Sequence, residues 1–375
     1  MKQCPRCHNT NQHGFFKLNE LEYCRFCLSY AQRIEQHTKS RDISLNEEDF
    51  GLSFDLTTNQ KKVSDQIATT IKSNSVLVEA VCGAGKTELV VQSVGNALMD
   101  NKKVGWAIPR RQVVLQLNDR LQKIFPTLKV IAVCEGHTSV FEGDLIICTT
   151  HQLFRYERYF DLLVLDEPDA FPYKGDAMLE AFVINSVKGH IIYLTATPSK
   201  EQKEQIKQGK IEHITLFQRP FNNRLPVPKK IISFNGYLYF WLMTYLKKTE
   251  HQTMVFVPTI KKALMISKLL NLVCVTSKTE NKEEVIQNFM NKKIKHIVCT
   301  TVLERGVTFS NIHVVVLNAN HRVFDESSLI QISGRVGRDK NYPTGACYFL
   351  MNEQSKEVDK CIKEIEKANK FAFGA

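Results

Sequence analysis

The chain has 375 residues, of which 43% are apolar and 24% charged, and a formal net charge of +11. These proportions are typical of a globular protein and exclude a disordered or collagen-like chain. The length predicts two domains of about 150 residues and a small additional module. No stretch reaches the roughly 18 consecutive apolar residues of a membrane span, and the start Met-Lys-Gln-Cys-Pro lacks the apolar core of a signal peptide. We therefore expect a cytoplasmic protein.

The positive charge is unevenly distributed along the chain. Residues 1–50 are neutral overall, residues 51–227 carry an excess of +2, and residues 228–375 carry an excess of +9. A basic C-terminal half suits a polyanionic partner such as a nucleic acid. A lysine-rich surface that only keeps the protein soluble would have the same composition, so charge alone leaves both interpretations open.

The eleven cysteines form two groups. Seven are scattered singly and are expected to be small core residues in a reducing compartment. The other four have the spacing CxxC-x16-CxxC, which predicts a tetrahedral zinc site made of Cys4, Cys7, Cys24 and Cys27. His8 and His13 are alternative ligands, and a redox-active CxxC pair is the alternative function. A segment of about 40 residues has too small a core to fold alone, so zinc would stabilise it.

Short β-branched runs alternate with helical stretches along most of the chain, which predicts parallel sheets with helices on both faces. Strands are predicted at 76–81, 104–108, 144–149, 162–166 and 190–196, and again at 253–259, 272–277, 296–301 and 313–318. Three prolines in 219–230 favour an extended link. The predicted fold is α/β, with a zinc module at 1–45 and parallel-sheet domains at 46–222 and 223–375. The aromatic run 236–246 is predicted to be a buried helix.

Residues 80–87, Ala-Val-Cys-Gly-Ala-Gly-Lys-Thr, lie between a predicted strand and a predicted helix. This context favours a phosphate-binding loop over a chance glycine turn. Its glycines let backbone amides surround phosphate oxygens, its lysine can reach the outer phosphates, and its threonine hydroxyl can bind Mg²⁺. We predict that ATP and Mg²⁺ are held here by Gly83, Ala84, Gly85, Lys86 and Thr87.

A second motif, Asp166-Glu167-Pro168-Asp169, follows an apolar run. Carboxylates at the carboxyl end of a buried parallel strand point into the crevice where a nucleotide binds. We expect Asp166 to hold Mg²⁺ and Glu167 to orient and deprotonate the attacking water. An exposed turn is the simpler alternative, since Asp and Pro are turn formers.

With these two motifs the chain resembles superfamily 2 helicases, which have two RecA-like lobes, and the resemblance covers residues 56–338. In the first lobe it implies that Gln60 reads adenine, that Thr195, Ala196 and Thr197 couple hydrolysis to motion, and that DNA contacts come from Arg110, Arg111, Thr149 and Thr150. In the second lobe it implies further DNA contacts from Thr259, Thr300 and Thr301, within motifs at 255–259 and 300–306. The segment 331–338 resembles the motif that supplies arginine fingers, implying catalytic roles for Arg338, Arg335 and Gln331.

The four-cysteine start together with AVCGAGKTE, DEPDAFPY and QISGRVGR resembles the ComFA competence family. Pro168 departs from that pattern, because an aliphatic residue is more usual there. A weaker resemblance is to PriA, which carries its zinc module in mid-chain. The ComFA resemblance implies a DNA-stimulated ATPase that moves along single-stranded DNA and drives uptake of transforming DNA. It also implies other competence proteins, including the membrane channel, as partners, and leaves open peripheral attachment at the inner face of the membrane.

Two other functions fit the motifs. A duplex-unwinding helicase of repair or replication restart would use the same ATPase, but only about 37 residues follow Arg338, and we find no obvious wedge domain. A nucleotide-gated DNA-binding scaffold would hydrolyse ATP only to exchange partners. The intact Glu167 and arginines favour an active motor over such a scaffold.

Overall fold

The structure is a computed structural model that describes residues 3–30, 44–305 and 309–374. Within this part the chain divides into two compact units. The first comprises residues up to Glu79 together with Lys86–Leu216, and the second comprises Ala80–Gly85 together with Phe217 onward. The phosphate-loop segment 80–85 therefore clusters with the second unit, although the strand and helix that flank it belong to the first.

A small antiparallel hairpin opens the first unit. Strands β1 (Phe15–Leu18) and β2 (Leu21–Cys24) pair from Phe15↔Cys24 to Leu18↔Leu21. Asn19 and Glu20 connect them with φ of 48° and 65°. Two left-handed residues between paired strands suit a tight hairpin.

The main sheet of the first unit has seven strands among the described residues, in the order β5-β6-β4-β7-β8-β3-β9. The strands are β3 (Val76–Ala80), β4 (Val104–Ile108), β5 (Val130–Val133), β6 (Leu145–Thr149), β7 (Phe160–Asp166), β8 (Val187–Thr195) and β9 (Glu212–Leu216). The helices are α1 (Thr58–Thr70), α2 (Lys86–Met99), α3 (Arg111–Ile124), α4 (Ala177–Ser186) and α5 (Lys200–Lys207).

The second unit holds a sheet that, in the described part of the chain, has six strands in the order β10-β15-β14-β11-β13-β12. They are β10 (Lys229–Ile232), β11 (Gln252–Phe256), β12 (Val273–Val275), β13 (His296–Cys299), β14 (Ile312–Leu317) and β15 (Cys347–Met351). The helices are α6 (Asn235–Lys248), α7 (Ile260–Leu270), α8 (Lys282–Met290), α9 (Glu326–Ser333) and α10 (Lys356–Phe373).

Parallel pairing dominates both sheets. In the first unit β7 pairs in parallel with β4 and β8, and β8 pairs in parallel with β3. In the second unit β14 pairs in parallel with both β11 and β15, and β15 with β10. The loops that follow parallel strands meet at one edge of a sheet, where ligands bind in such folds. The predicted α/β class and all nine predicted strands are confirmed, while β5, β9, β10 and β15 were missed.

The aromatic helix differs from its prediction. Helix α6 buries only Leu238, Leu242 and Leu246, which recur at a spacing of four residues. On its other faces Tyr237 is 44% exposed and Phe240 is 60% exposed. The prediction of a buried helix is wrong because Tyr237 and Phe240 lie on a face that the sheet does not cover, while Trp241 and Tyr245 pack against Tyr348 of β15.

The cysteine module is continuous with the first unit. Its four cysteines belong to the same apolar cluster as Phe182 and Leu163 of the lobe. Tyr30 makes edge contacts with Phe154 and Phe182 at ring distances of 5.0 and 5.3 Å. The described part of the predicted 1–45 module therefore packs on the lobe, and the division between module and lobe near residue 45 stays a prediction; residues 31–43 lie outside the described part.

No helix among the described residues combines the length and the apolar character needed to cross a bilayer.

Candidate nucleotide and nucleic-acid sites

The phosphate loop has the backbone that its glycines predict. Gly83 and Gly85 have φ of 83° and 84°, a region that side-chain-bearing residues rarely adopt. Between them, the amide of Ala84 donates to the carbonyl of Val81 at 3.1 Å. Lys86 opens α2 directly afterwards. A tight glycine turn before a helix N-terminus presents amide groups to an anion, so this loop can bind phosphate.

The acidic motif follows the carboxyl end of β7. Asp166 is the last residue of that strand, and Glu167 has φ of 56° and donates its amide to the carbonyl of Leu194 at 3.0 Å. Burial and the neighbouring Glu167 charge raise the pKa of Asp166 to about 7, while Lys86 acts in the opposite direction. A buried carboxylate whose pKa is raised in this way fits a cation site, and the oxygen donors Asp166 and Thr87 are of the kind that Mg²⁺ prefers.

Asp169 connects the acidic motif to the predicted coupling motif. Its Oδ1 accepts a hydrogen bond from the Thr195 hydroxyl at 2.9 Å, and its Oδ2 accepts one from the Thr197 hydroxyl at 3.1 Å. Thr195 and Asp169 are 1% and 9% exposed. The role of Asp169 was not predicted, although its place in the sequence DEPD was the available signal. Ala196 lies between the two threonines.

The ion pair between Glu88, on the helix that follows the phosphate loop, and Arg120 was also not predicted from the sequence. Glu88, on the first turn of α2, is 7% exposed and pairs with Arg120 of α3. Burial lowers the pKa of Arg120, and the charge of Asp166 acts to raise it. The pair therefore lies within electrostatic reach of the predicted Mg²⁺ ligand. The signal in the sequence was the glutamate directly after Gly-Lys-Thr.

Gln60, predicted to read adenine, is 3% exposed on the first turn of α1. The side-chain Oε1 of Gln60 accepts a hydrogen bond from the backbone amide of Thr57 at 3.0 Å, and the backbone amide of Gln60 donates to the Thr57 hydroxyl at 3.3 Å. This reciprocal arrangement caps the helix. The Gln60 side chain is thus hydrogen-bonded to Thr57, the N-cap residue of its own helix.

Arg219 joins the phosphate-loop segment to the 334–337 loop inside the second unit. It is 3% exposed. Its Nε donates to the carbonyl of Cys82 at 2.9 Å, and its terminal nitrogens donate to carbonyls of residues 334–337 at 2.7 to 2.9 Å. The Cys82 thiol donates to Gln331 Oε1 at 3.0 Å. Arg219 was predicted only as part of the extended link, because no local sequence pattern distinguishes it.

The two predicted arginine fingers have different surroundings. Arg335 is 1% exposed, donates its Nε to the carbonyl of Glu304 at 3.1 Å, and lies over the ring of Phe309. Arg338 is less buried, and a Cβ placed on Gly83 would lie 3.6 Å from its Cγ. Arg338 is therefore beside the phosphate-loop segment, while Arg335 packs in the core of the second unit.

The predicted DNA contacts of the first unit lie after β4 and β6, which pair in parallel. Arg110 caps α3, and Arg111 donates its Nε to the carbonyl of Glu135 at 2.7 Å. Thr149 and Thr150 are 7% and 0% exposed. Phosphate contact through either hydroxyl would need a local shift, so the two arginines, of which Arg111 is exposed, are the better candidates for phosphate contact.

In the second unit, Thr259 and Thr300 follow the carboxyl ends of β11 and β13. Thr259 caps α7 and accepts from the amide of Lys262 at 3.1 Å. Thr300 and Thr301 begin a short 3₁₀ helix and are half-buried. Because β11 and β13 pair in parallel, these threonines share one edge. Gly306, the last residue of the predicted 300–306 motif, lies outside the described residues.

The four predicted zinc ligands converge. Their sulfur atoms all lie within 4.8 Å of one another, and Cys4–Cys27 and Cys7–Cys24 are 3.8 and 3.6 Å apart. Four thiolates at Zn–S distances of 2.3 Å would be about 3.8 Å apart in a tetrahedron. The geometry fits zinc, and these cysteines could hold the ion. The Asn185 side chain anchors the module by donating to the carbonyls of Pro5 and Arg6, at 2.9 Å each.

Two parts of the chain match known families. Residues 53–200 match the family described as Type III restriction enzyme, res subunit, and residues 237–340 match the Helicase conserved C-terminal domain. These ranges include the phosphate loop, the acidic motif and the 334–337 loop. The chain is thus an ATPase of the superfamily 2 helicase type.

Solved structures give the same fold. S. cerevisiae Dbp5 bound to RNA and ADP BeF3 has a TM-score of 0.65 at 16% identity, covering 84% of this chain and 88% of that one. RecG bound to a three-way DNA junction has a TM-score of 0.58 at 19% identity, covering 86% of this chain and 46% of that one. At these identities the likeness establishes fold, and the two parallel-sheet units are RecA-like lobes in tandem.

Full-length relatives are more similar in sequence. Competence protein ComFA of Streptococcus pneumoniae is 37% identical over 396 residues, covering 98% of this chain and 90% of that protein. Competence protein ComFA of Bacillus subtilis is 31% identical over 400 residues, covering 99% and 86%. The Transcription-repair-coupling factor of Staphylococcus epidermidis is 26% identical, covering 83% of this chain and 29% of that protein. The chain belongs to the ComFA family of competence proteins.

Proposed function

We propose that this protein is an ATP-driven motor that moves along single-stranded DNA and draws transforming DNA into the cytoplasm. The observation that carries the proposal is the Asp169 bridge, in which the acidic motif is hydrogen-bonded to both Thr195 and Thr197. A nucleotide site alone would support a switch. The hydrogen bonds from Asp169 join the nucleotide site to the motif of Thr195 and Thr197. Through them hydrolysis can be coupled to a conformational change, which a motor requires.

Each residue of the nucleotide site has a distinct role in this proposal. Lys86 donates to the outer phosphates, and backbone amides of 83–87 surround them. Glu167 orients the attacking water and accepts its proton. Arg338 stabilises the charge on the transferring phosphoryl group as an arginine finger. Gln331 helps to align the water, and Gln60 lies at the adenine end. Arg335 supports the second lobe rather than the phosphates.

Mg²⁺ bound by Asp166 and Thr87 would neutralise phosphate charge during transfer. Zinc held by the four cysteines would have no open coordination position, so its role is structural. We assign the lobes to residues 46–222 and 223–375.

Backbone contacts give the motor its grip on DNA. The half-buried Arg110 and the exposed Arg111 serve the first lobe, with Thr149 and Thr150 acting through their backbone amides or after a local shift. Thr259, Thr300 and Thr301 serve the second lobe. Hydroxyls, amides and cations bind phosphates without reading bases, so binding should be nearly independent of sequence. We also propose a cytoplasmic location and work with other competence proteins, including the membrane channel.

The test compares ATPase rates with single-stranded DNA, blunt duplex and RNA. We expect strong stimulation by single-stranded DNA of any sequence and weak stimulation by duplex. Displacement of a protein block from a single strand then measures motion. Efficient unwinding of a long duplex, or preferential stimulation by RNA, would replace the proposal with a repair helicase or an RNA-remodelling enzyme. Turnover independent of nucleic acid would indicate a scaffold.

A further inference from the structure

The second unit carries a row of exposed aromatic side chains that the nucleotide site does not use. Phe234 is 72% exposed, Tyr237 is 44% and Phe240 is 60%. Residues three apart on a helix lie on the same face, so the three rings form a stripe along the start of α6. The centroids of Phe234 and Tyr237 are 6.3 Å apart. Ile232, 45% exposed, extends the apolar surface at the end of β10.

This stripe begins at the carboxyl edge of the sheet. The amide of Ser233 donates to the carbonyl of Met351 at the end of β15. Asn318, directly after β14, donates its side-chain amide to Asn235 Oδ1 at 3.1 Å. Since β10, β15, β14 and β11 run parallel, Phe234 lies at the same edge as the loop of Thr259.

A contact joins α6, the helix that carries the stripe, to α7, the helix that follows Thr259. The backbone amide of Lys262 donates to the Thr259 hydroxyl, and the Lys262 ammonium group lies 4.8 Å from the ring centroid of Tyr239 and hydrogen-bonds the Tyr239 hydroxyl. Tyr239 lies on another face of α6 than Tyr237 and Phe240, because residues one or two apart on a helix do not face the same side. The contact therefore holds the two helices together beside the Thr259 loop.

Exposed positive charge lies at the edge that the stripe shares with Thr259. Lys261 is exposed beside Lys262 at the start of α7, whereas Lys230, at the start of β10, is paired with Asp359 at 2.8 Å. Exposed rings next to cations are the combination that proteins use for single strands, in which bases stack on rings while lysines follow the phosphates. An apolar protein partner would need no such cations, and duplex DNA would not offer unstacked bases.

We propose that Phe234 and Tyr237, with Phe240 one turn further along, form a stacking platform for the bases of single-stranded nucleic acid. The inference rests on the proposed function, because it requires a single strand at the Thr259 edge. Phosphate contacts hold the strand at the Thr259 edge, and the bases of the neighbouring nucleotides stack on the rings of the platform. Rings accept any base, so the platform adds affinity without sequence preference.

The experiment separates stacking from apolar contact. In the full-length protein, Phe234→Leu with Tyr237→Leu removes both rings but keeps apolar side chains, while Phe234→Trp with Tyr237→Trp keeps rings. Binding is measured by fluorescence anisotropy with oligothymidine and with an abasic oligonucleotide of equal length. Phe371→Leu is the matched control, since Phe371 is 67% exposed in the same unit.

We expect the leucine variant to lose at least about thirtyfold in affinity for oligothymidine, the low end for two stacked bases. Its affinity for the abasic strand and its salt dependence should stay as in wild type, because the phosphate contacts are intact. The tryptophan variant and the control should bind like wild type. Thermal unfolding and nucleic-acid-free ATPase activity should not change.

Other outcomes overturn the platform. If wild type binds oligothymidine and the leucine variant binds it equally well, the platform is absent and the motor proposal stands. Equal losses on both oligonucleotides would mean a general electrostatic effect. A loss confined to vesicles containing anionic phosphatidylglycerol would identify the stripe as a membrane contact. If wild type binds no single strand at all, the proposed function fails first.

Discussion

Thr195, the last residue of β8, donates its hydroxyl to Asp169 of the acidic motif at 2.9 Å. Both side chains are buried, so the hydrogen bond is shielded from water and holds the two motifs in one arrangement. This contact is the physical basis for expecting that hydrolysis and motion are tied together.

Replacing Asp169 by alanine should uncouple the motor. Because Asp169 does not belong to the predicted phosphate or Mg²⁺ ligands, we expect nucleic-acid-free ATPase activity within a few-fold of wild type. Stimulation by single-stranded DNA and displacement of a protein block should be lost. Thr195→Ser keeps the hydroxyl and serves as the control. Normal block displacement by Asp169→Ala would show that coupling runs elsewhere.

Lys86→Ala and Glu167→Gln should fail at different steps. Removing the ammonium group leaves the phosphate charge without its cation, so tight nucleotide binding should disappear. Removing the general base should preserve binding and stop turnover. Nucleotide affinity and single-turnover hydrolysis, measured on both variants, separate these outcomes. A Glu167→Gln protein that turns over like wild type would remove the assignment of the base.

Arg338→Ala and Arg335→Ala should differ in kind. Arg338 lies beside the phosphate-loop segment, so we expect near-normal ATP affinity and turnover slowed by about 10³-fold, the low end for an arginine finger. Arg335 is 1% exposed and bonded to a backbone carbonyl, so its loss should lower the melting temperature first. Normal hydrolysis by Arg338→Ala, with a stable but inactive Arg335→Ala, would reverse the two roles.

Loss of zinc should lower the thermal stability of the first lobe. Purified protein should hold about one zinc per chain, and Cys24→Ser should release it. Because the cysteines share an apolar cluster with Phe182 and Leu163, we expect the first lobe to melt at lower temperature as well. Asn185→Ala, which removes two hydrogen bonds to the module, should keep zinc and show a smaller decrease. Metal analysis and calorimetry test both; an unchanged lobe transition in zinc-free protein would show that the module and the lobe unfold independently.

Stability of the second lobe should fall in mild acid. Burial, and secondarily His251, lower the pKa of His313 to about 4, and its Nδ1 is 2.6 Å from the Tyr245 hydroxyl. The unfolded chain takes up this proton below about pH 6.5, whereas the folded protein does so only near pH 4. Stability should therefore be level above about pH 6.5 and decrease as the pH falls toward 4.

The measurement is the melting temperature of wild type and His313→Gln between these pH values. The variant should show a shallower decrease. Acid release of zinc affects both proteins equally, so the difference between the two slopes reports His313. Parallel curves would assign the acid sensitivity to other groups.

The nucleotide-binding motifs could be read from the sequence because each is local. The φ values of Gly83 and Gly85 follow from a short pattern between strand and helix, and Asp166 follows from an apolar run. Strands buried between neighbours were also predicted, since both faces require apolar residues. Three of the four missed strands of the parallel sheets, β5, β9 and β10, are outermost in their sheets among the described residues. An edge strand tolerates lysines, as at Lys229 and Lys230, and gives a weak signal.

The features that the sequence did not predict depend on burial, which is set by residues far away in the sequence. Composition made α6 look buried, but Phe234 and Tyr237 remain exposed on a face that the sheet does not cover. Cysteine spacing alone indicated a metal site, but only the folded chain shows that these cysteines pack in one apolar cluster with Phe182. Arg335 and Arg338 are three residues apart in one motif, and burial by Phe309 on one side and proximity to Gly83 on the other gave them different surroundings. Local patterns determine backbone conformation, whereas burial is a property of the folded chain, because it is set by elements far apart in sequence.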